Sequence, residues 1–422
     1  MFNRLKPKSE FSRNVLTLMT GTTIAQAIPI AISPILTRIY TPEDFGIFAL
    51  YMSVASIVSV MATGRYELAI MLPKKDEDAI NIVALSIMIS FLVSFIVFLI
   101  VFFFNSAITN LLGNPKISSW LYFIPLSVLF TGLYQSFNYW SNRKKEYKNL
   151  ATSRVIRSGT TATSNLVFGF SGLGRGGLIG SSLLGQGVAS FVLGKMILDE
   201  NKNKFKNIKY LKILALIKRY INFPKYNTQH ALINIFFSQM PILILSKYFT
   251  ASSVGFYALA TRVIQTPVSV LSSAVSSTLY QKIVNLKNNK QKYMNHIYRF
   301  LKVQFLLSII LFSFLYFISY HMDTILGEKW KEVGVYIQLI LPWLFMVFLV
   351  SPLAFSMNMT DNQKAGLGIE WIYGAVKFFS LMIGVFYFKD IEITLGLFSI
   401  SCAVFLIFQG IWFINLLKKD EV

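Results

Sequence analysis

The sequence predicts an all-α integral membrane protein with about twelve transmembrane helices. Apolar residues make up 54% of the 422 positions, the mean hydropathy is +0.56, and phenylalanine alone occurs 38 times. A chain of this composition has too few polar residues to cover a water-soluble domain of its size. Its apolar residues lie in stretches of about 20, which is the length of helix that crosses a bilayer.

Each predicted span is an apolar stretch bounded by polar or charged residues, as expected for a helix that begins and ends at the membrane surface. The spans are predicted near residues 14–37, 44–63, 79–104, 118–140, 150–170, 177–197, 227–248, 254–280, 296–319, 335–357, 365–388 and 392–416.

Lysine and arginine are distributed unequally among the segments that connect the predicted spans. If the N-terminus is cytoplasmic, 26 of them fall in cytoplasmic segments and seven on the opposite side. Cytoplasmic loops of membrane proteins carry such an excess of positive charge. We therefore expect an even number of spans with both chain ends in the cytoplasm.

An internal repeat relates the two halves of the chain. A shift of 209 residues aligns ILTRIYTPEDFGIFAL, from Ile35, with ILSKYFTASSVGFYAL, from Ile244. Six spans separate the copies, so both run in the same direction through the membrane. The repeat predicts two six-helix lobes related by a pseudo-two-fold axis, an arrangement found in transporters. We place the lobes at 1–197 and 227–422, joined by a basic cytoplasmic linker at 198–226 that includes a short surface helix.

The first copy of the repeat also carries residues typical of a helix start. Thr41 can serve as the N-cap, Pro42 suits the first helical position, and Glu43 and Asp44 complement the positive end of the helix dipole. We interpret these residues as the beginning of a helix and not as substrate contacts.

Charged residues inside the predicted spans are candidate functional groups, because a charge at the bilayer centre costs about 2.5–3.5 kcal/mol. Arg262 lies within span 8, and Arg154 and Arg157 share a face of span 5. Glu370 and Lys377 lie two turns apart on span 11. These groups predict a wet, net positive cavity suited to an anion such as a pyrophosphate or an acidic sugar. Interhelical ion pairs, and snorkelling to the membrane surface, are the structural alternatives.

Other chemistries lack the residues they require. The basic residues lie in short segments between apolar stretches and form no nucleic-acid-binding surface, so nucleic acid is not an expected partner. Cys402 is the only cysteine, which excludes an internal disulfide and a Cys-based metal site. The three histidines show no metal-ligand or catalytic spacing. We predict no catalytic residue, no metal and no cofactor.

Two segments near the N-terminus carry a family pattern. They are PILTRIYTPEDFG, from Pro34, and ATGRYELAI, from Ala62. They resemble the N-terminal signature of Wzx-type O-antigen and capsule repeat-unit flippases, which belong to the multidrug/oligosaccharidyl-lipid/polysaccharide (MOP) exporter superfamily. The resemblance is specific over about residues 30–75, and the rest of the chain matches in span number and lobe duplication.

This resemblance implies a V-shaped, two-lobed transporter in the bacterial inner membrane that hydrolyses no ATP. It implies that the chain flips an undecaprenyl-pyrophosphate-linked oligosaccharide, the repeat unit of O-antigen lipopolysaccharide or capsule, from the cytoplasmic to the periplasmic leaflet. Alternating access would pass the head group through a cationic central cavity. Coupling to a proton or sodium gradient is a further expectation, as are membrane lipids, a polysaccharide polymerase and a chain-length regulator as partners.

The matched segments contribute Arg65 and Glu67, which local helix pairing explains as well as substrate contact does. The predicted substrate-binding residues are Arg157, Arg262, Lys377, Arg154 and Arg65, and the predicted gating or ion-coupling residues are Glu370 and Glu67.

Two other functions remain open at this point. A drug/cation antiporter of the same superfamily should have an acidic cavity, whereas the charged groups within the predicted spans here are mostly cations. A membrane-embedded polysaccharide polymerase should carry a large periplasmic loop, whereas the longest loop here is cytoplasmic by its charge.

Overall fold

The computed structural model describes residues 10–205, 207–286, 290–359 and 362–419. Within these ranges every regular element is helical and no β-strand occurs, which confirms the predicted all-α class. The chain forms two compact units, Met1–Lys247 and Tyr248–Val422. Residues 1–9 and 420–422 lie outside the described residues, and with them the predicted position of the chain ends.

The described residues of the first unit form ten α-helices, with a 3₁₀ helix, Tyr66–Met71, after the third and a π-helical turn, Phe223–Asn227, before the tenth. The ten are α1 (Glu10–Ala31), α2 (Ser33–Ile39), α3 (Pro42–Ser59), α4 (Asp76–Leu112), α5 (Ser118–Leu121), α6 (Ile124–Arg143), α7 (Tyr147–Phe170), α8 (Arg175–Phe205), α9 (Tyr210–Arg219) and α10 (Thr228–Tyr248).

The second unit is built from the remaining α-helices of the described chain. They are α11 (Ala251–Leu286), α12 (Lys290–Ser319), α13 (Met322–Leu326), α14 (Glu332–Val350), α15 (Phe355–Met359), α16 (Gln363–Ile383) and α17 (Ile391–Lys419).

Fewer helices pass a membrane-span criterion than the twelve that the sequence predicted. By length and composition, eight helical segments of the described residues can cross a membrane, or nine if the bent pair Pro115–Leu121 and Ile124–Arg143 is one span. The predicted spans 44–63, 150–170 and 254–280 coincide with α3, α7 and α11 and are not among them. A helix that turns polar side chains toward the protein interior fails such a criterion, and the polar residues of α7 line the pockets described below.

The start of α3 is capped as the sequence predicted. The Thr41 hydroxyl accepts a hydrogen bond from the N–H of Asp44 at 3.2 Å, and the Asp44 carboxylate accepts one from the N–H of Thr41 at 3.1 Å. In the second copy of the repeat, the Thr250 hydroxyl accepts from the N–H of Ser253 at 3.2 Å, at the start of α11. The aligned threonines therefore cap the start of a helix in both units, which supports a true repeat.

The interior of the first unit holds two clusters of buried apolar side chains. One includes Ile80 of α4 and Trp140 of α6, and the other includes Leu50 of α3 and Ile124 of α6. Because α6 contributes to both clusters, it forms the centre against which α3, α4 and α8 pack. This packing fixes the helices that carry the candidate site.

Helices α7 and α8 approach closely at Gly185. A Cβ placed on Gly185 would overlap the Thr161 hydroxyl and would lie 3.0 Å from the carbonyl oxygen of Arg157. A larger residue at this contact would require the Thr161 side chain or its helix to move. The close approach positions the Arg157 turn of α7 against α8.

The linker contains the short amphipathic helix that the sequence predicted, α9. Its Ile213 and Leu216 are buried in the cluster that includes Trp140, whereas Leu211 is 80% exposed. Lys212 pairs with Glu77 of α4 at 3.0 Å. The predicted lobe and linker boundaries stay a prediction, as does the placement of α9 on the membrane surface.

Candidate functional site

Two neighbouring pockets in the first unit bring together three of the arginines predicted from the sequence. We name them the Arg65 pocket, of about 290 Å³, and the Arg154 pocket, of about 530 Å³. Arg157 of α7 lines both. The sequence placed Arg154 and Arg157 on one helix face, but it did not predict that Arg65, from the turn after α3, would share a pocket with Arg157.

The Arg65 pocket lies among α3, α6, α7 and α8. Besides the two arginines, hydroxyl and amide groups line it, including Thr131, Gln135 and Gln186. Thr131 and Gln186 are 3.4 Å apart, across α6 and α8. These groups can each donate and accept hydrogen bonds, which is the chemistry that sugar hydroxyls require.

The Arg154 pocket lies among α1, α6, α7 and α8. Its polar lining includes Gln26 of α1, Asn138 of α6 and Thr161 of α7. Among the described residues that line these two pockets, none is aspartate or glutamate. The formal charge of the linings is therefore positive, and they suit an anion better than a cation.

Arg157 is the most available of the three cations. Its side chain is exposed to the pockets, and its guanidinium lies 5.8 Å from the centre of the Tyr134 ring. In the described part of the chain it forms no ion pair. Stacking on an aromatic ring holds a guanidinium in place while its edge remains free to donate to an anion.

Arg154 and Arg65 are tethered differently. One guanidinium nitrogen of Arg154 donates to the Thr22 hydroxyl of α1 at 2.6 Å. Arg65 pairs with Glu67 at 3.4 Å, and its Nε is buried without a hydrogen-bond partner among the described residues. Arg65 therefore keeps an unused donor although a carboxylate balances its charge.

Glu67 lies in the 3₁₀ helix Tyr66–Met71 and is fully buried. Its carboxylate accepts a hydrogen bond from the Thr63 hydroxyl. Arg65, immediately before this helix, has a backbone φ of 61°, in the left-handed region that few residues other than glycine adopt. The ion pair and the surrounding packing hold this strained turn, so local pairing explains Glu67 and a gating role stays a prediction.

In the second unit, Lys377 of α16 is buried, with 8% exposure. Its Nζ lies 4.2 Å from the centre of the Tyr373 ring and 5.8 Å from that of Trp343 on α14. The Trp343 indole N–H donates to the Tyr373 hydroxyl at 2.7 Å. Cys402 of α17 is also buried and lies close to Tyr373. We name Trp343, Tyr373 and Cys402 the Lys377 cage.

The cage stabilises the ammonium only in part. A lysine charge near the bilayer centre costs about 2.5–3.5 kcal/mol, and a desolvated cation–π contact returns about 2 kcal/mol. No carboxylate pairs with Lys377 in the described part of the chain. Contact of Lys377 with a substrate head group, which the sequence predicted, would need the cage to open and stays a prediction.

Arg262 and Glu370, the other candidates of the second unit, are both half-buried. Arg262 lies on α11, and its backbone carbonyl accepts a hydrogen bond from the Thr266 hydroxyl at 2.8 Å. Glu370 lies on α16 with Lys377, but the two form no ion pair in the described residues. Their predicted roles in substrate binding and coupling stay predictions.

Sequence reasoning missed the neutral members of both sites. Gln135 and Gln186 were not identified as candidate site residues, because an uncharged amide lowers the hydropathy of a span much less than a charged side chain does. Tyr373 lies four residues before Lys377 on one helix, a spacing that brings side chains together, and that pattern could have identified it.

Comparisons with solved structures support the fold. Lipid II flippase MurJ, in an inward closed conformation, is similar with a TM-score of 0.74 at 15% identity, over 96% of this chain and 89% of that one. An inward-facing multidrug resistance MATE family transporter of the MOP superfamily is similar with a TM-score of 0.62 at 12% identity, over 96% of both chains.

A third solved structure is a MOP superfamily transporter from Pyrococcus furiosus, described as having a binding pocket of reverse polarity that suggests a different function. Its TM-score is 0.56 at 13% identity, over 97% of both chains. No curated protein is similar enough in sequence to match the chain. At these identities the likeness shows the fold alone, which this chain shares with these solved MOP transporters. The apolar helices of the described residues make it a multi-pass membrane protein.

The sequence itself matches one family model, described as polysaccharide biosynthesis protein, over residues 35–334. The match begins within the segment that carries the N-terminal pattern. It covers every helix that lines the two arginine-lined pockets, apart from α1, which lies before residue 35. It spans well over half of the chain, and so this protein belongs to the polysaccharide biosynthesis protein family.

Proposed function

We propose that the chain is a flippase that moves an undecaprenyl-pyrophosphate-linked oligosaccharide from the cytoplasmic to the periplasmic leaflet of a bacterial inner membrane. The observation that carries this proposal is the grouping of Arg65, Arg154 and Arg157 around two polar pockets whose described lining residues include no carboxylate. Membership of the polysaccharide biosynthesis family and the MOP fold agree with it.

In this proposal Arg157 makes the main contact with the pyrophosphate. A guanidinium donates two parallel hydrogen bonds to phosphate oxygens, and Arg157 has no competing carboxylate among the described residues. Arg65, which lines the same pocket as Arg157, adds a second guanidinium. The amides and hydroxyls of both pockets then hydrogen-bond the sugar hydroxyls.

The prenyl tail stays in lipid while the head group crosses. Moving a charged head group through hydrocarbon without partners costs tens of kcal/mol in the limit of an isolated ion, so the transporter must replace its water with fixed donors. The pockets supply such donors within helices that belong to a membrane fold. Undecaprenyl-pyrophosphate oligosaccharide and membrane lipids are thus the proposed partners, and an O-antigen or capsule repeat unit is the proposed cargo.

A drug/cation antiporter of the same superfamily is the nearest alternative. An antiporter for cationic compounds should present carboxylates to its cargo, and the described linings of these pockets present arginines instead. The MOP transporter described with a binding pocket of reverse polarity, which suggests a different function for it, is a precedent for pockets of different charge in one fold.

The proposal is tested by the variant Arg157→Ala in a strain that lacks the chromosomal copy of the gene. We expect lipid-linked single repeat units to accumulate facing the cytoplasm and surface polysaccharide to be lost, because the pyrophosphate loses its main donor. Arg157→Lys should retain part of the activity, since it keeps the charge without the two parallel donors.

Lys148→Ala is the matched control, because Lys148 is an exposed cation on the same helix, outside both pockets. It should support normal surface polysaccharide. Normal export by Arg157→Ala at wild-type protein levels would overturn the proposed site. If loss of the protein leaves single repeat units displayed outside the cell, the polymerase alternative is correct and the flippase proposal is wrong.

A further inference from the structure

Helix α9 divides its apolar side chains between two faces. Ile213 and Leu216 are buried in the core of the first unit, whereas Tyr210, Leu211 and Leu214 are exposed. Leu214 lies one helical turn from each of the other two exposed residues, so the three form a continuous apolar surface. We name Tyr210, Leu211 and Leu214 the α9 outer face. Such a face is unfavourable in water and is stabilised at the boundary between lipid head groups and acyl chains.

Cations adjoin the α9 outer face. Lys218 lies one turn beyond its last residue, and Arg219 follows. Both are exposed, and in the described part of the chain neither forms an ion pair. Lys209 and Lys225, on either side of the helix, are exposed as well. The sequence contains no aspartate or glutamate from residue 201 to residue 227, so the charge of this surface is positive throughout.

The start of α9 is anchored to α4. The buried side chain of Asn81 accepts a hydrogen bond from the N–H of Lys209 at 2.9 Å and donates one to the carbonyl oxygen of Asn207 at 3.1 Å. Lys212 pairs with Glu77 at 3.0 Å. The first turn of α9 is therefore fixed to the first unit by polar contacts as well as by apolar packing.

The far end of α9 reaches the turn that carries Arg65. The Tyr66 hydroxyl donates to the carbonyl oxygen of Ile217 at 3.2 Å, and Tyr66 is buried in the same apolar cluster as Ile213. Arg65, directly before Tyr66, lines the Arg65 pocket in a left-handed backbone conformation. A residue keeps such a conformation only where its surroundings hold it. The contact between Tyr66 and α9 is part of what holds the Arg65 turn.

We propose that the α9 outer face and its adjoining cations bind anionic phospholipid, and that this binding stabilises the Arg65 turn through Tyr66. The partner is the anionic surface of one leaflet, which the charge asymmetry of the loops predicts to be the cytoplasmic one. The lipid composition would then regulate the Arg65 pocket. Its effect on transport rests on the proposed function, whereas the lipid site and its link to Arg65 can be tested without any cargo.

The physical link is short. Ile217, whose carbonyl receives Tyr66, and Lys218, which adjoins the outer face, are consecutive residues. A head group that holds Lys218 at the membrane surface therefore also limits the movement of the Ile217 carbonyl. Lipid binding and the present geometry of the Arg65 turn then favour each other.

Lipid contact is measured with an environment-sensitive fluorophore on Leu211→Cys, in a Cys402→Ser background. The protein is placed in phosphatidylcholine bilayers that contain a fixed fraction of brominated lipid, either phosphatidylglycerol or phosphatidylcholine. We expect brominated phosphatidylglycerol to quench more strongly than brominated phosphatidylcholine. The preference should fall as salt is added, because exposed charges are screened.

Equal quenching by the two lipids would show that no anionic lipid is selected and would overturn the proposal. Absence of quenching by both would show that the α9 outer face lies outside the bilayer. The proposal would then be wrong, and a protein partner would be the remaining occupant.

The double variant Lys218→Gln, Arg219→Gln should lower the preference for phosphatidylglycerol by about fivefold for each cation removed. The matched control is Lys145→Gln with Lys148→Gln, which removes two exposed cations at the start of α7, away from α9. It should keep the preference of the parent protein. An equal loss in the two double variants would show a general effect of charge and would contradict a site on α9.

The link to Arg65 is measured by hydrogen exchange of the backbone amides of residues 61–72. In wild-type protein we expect slower exchange in bilayers that contain phosphatidylglycerol than in phosphatidylcholine alone. Tyr66→Phe, which keeps the ring but cannot donate to Ile217, should lose this difference and should keep most of the lipid preference at Leu211.

Tyr51→Phe is the matched control for Tyr66→Phe, because the Tyr51 hydroxyl is also bonded to a backbone carbonyl, that of Phe123 at 3.1 Å, but has no contact with α9 in the described residues. It should keep the effect of lipid on residues 61–72. Exchange that does not depend on lipid in wild type, or a full lipid effect in Tyr66→Phe, would overturn the link.

Transport in proteoliposomes separates this inference from the proposed function. With lipid-linked repeat unit as cargo, phosphatidylglycerol should accelerate flipping by wild type and should have little effect on Tyr66→Phe. An undiminished acceleration in Tyr66→Phe would refute regulation through Tyr66. Absence of flipping by wild type in both lipid compositions, with lipid-dependent exchange of residues 61–72 intact, would refute the proposed cargo and leave the lipid site standing.

Discussion

At the scale of single residues, the candidate cations differ in how their charge is balanced. Arg157 rests on an aromatic ring, Arg154 donates to a hydroxyl, and Arg65 pairs with a buried carboxylate. An anion therefore meets Arg157 without first displacing a partner. Arg65, in contrast, must share its charge between Glu67 and any anion that arrives.

The pairing of Arg65 with Glu67 predicts a measurable coupling in stability. Glu67→Ala should destabilise the protein, but by less than the roughly 3–5 kcal/mol usual for a fully buried ion pair, because the Arg65 side chain is 27% exposed. Glu67→Gln should cost less, because it can still accept from Thr63. Thermal unfolding in detergent measures both.

The double variant Arg65→Gln, Glu67→Gln is the control for this prediction. We expect it to lose less stability than the sum of the two single changes, since it leaves no unpaired charge. Strict additivity would show that the pair contributes nothing and that Glu67 is retained for another reason.

At the scale of elements, helix ends and helix contacts position the site. The capping box at Thr41 fixes the start of α3, and Gly185 allows α8 to approach α7 beside Arg157. Neither Thr41 nor Gly185 is itself a proposed head-group contact, so both act through the placement of helices.

The two aligned threonines should contribute similarly to stability. Thr41→Ala should cost about 1 kcal/mol, as removal of an N-cap hydroxyl does, and Thr250→Ala should cost somewhat less because Ser253 provides no carboxylate to complete a capping box. Thermal unfolding of each variant measures this difference. Thr41→Ser keeps the hydroxyl and is the control. Equal stability of Thr41→Ala and wild type would contradict the assigned cap.

Gly185 should be intolerant of side chains. Gly185→Ala forces Thr161 and the Arg157 turn to move, and we expect a loss of about 1–3 kcal/mol, typical of overpacking, together with reduced export. The measurements are thermal unfolding and surface polysaccharide. Gly180→Ala on the same helix is the matched control, because its Cβ would meet Phe168 at an ordinary 3.5 Å. Equal effects of the two substitutions would contradict the close contact.

At the scale of the whole molecule, the solvent of the protein decides its architecture. A backbone surrounded by lipid must satisfy its hydrogen bonds internally, so an apolar chain of this kind folds as helices. Polar helices such as α7 are then admitted only where other helices cover them. The predicted span that coincides with α7 fails a hydropathy criterion for this reason.

The charge asymmetry of the loops predicts the orientation of the whole chain. In a Cys402→Ser background, Lys389→Cys should react with a membrane-impermeant maleimide added outside spheroplasts, and Lys148→Cys should react only after the membrane is permeabilised. Both positions are exposed in the structure. Labelling of Lys148→Cys in intact spheroplasts would reverse the predicted orientation and the proposed direction of transport.

Patterns along the chain were enough to predict the helical membrane class, the cap at Thr41 and the set of candidate cations, and to indicate the repeat. Hydropathy and capping are local properties, so residues close in the chain are enough to reveal them. The folded arrangement of the helices was needed to show that Arg65 shares a pocket with Arg157 and that Lys377 lies in an aromatic cage. Those outcomes depend on how each helix is rotated and how closely it approaches its neighbours. Contacts such as Gly185 with Thr161 set that geometry, and no single stretch of sequence contains it.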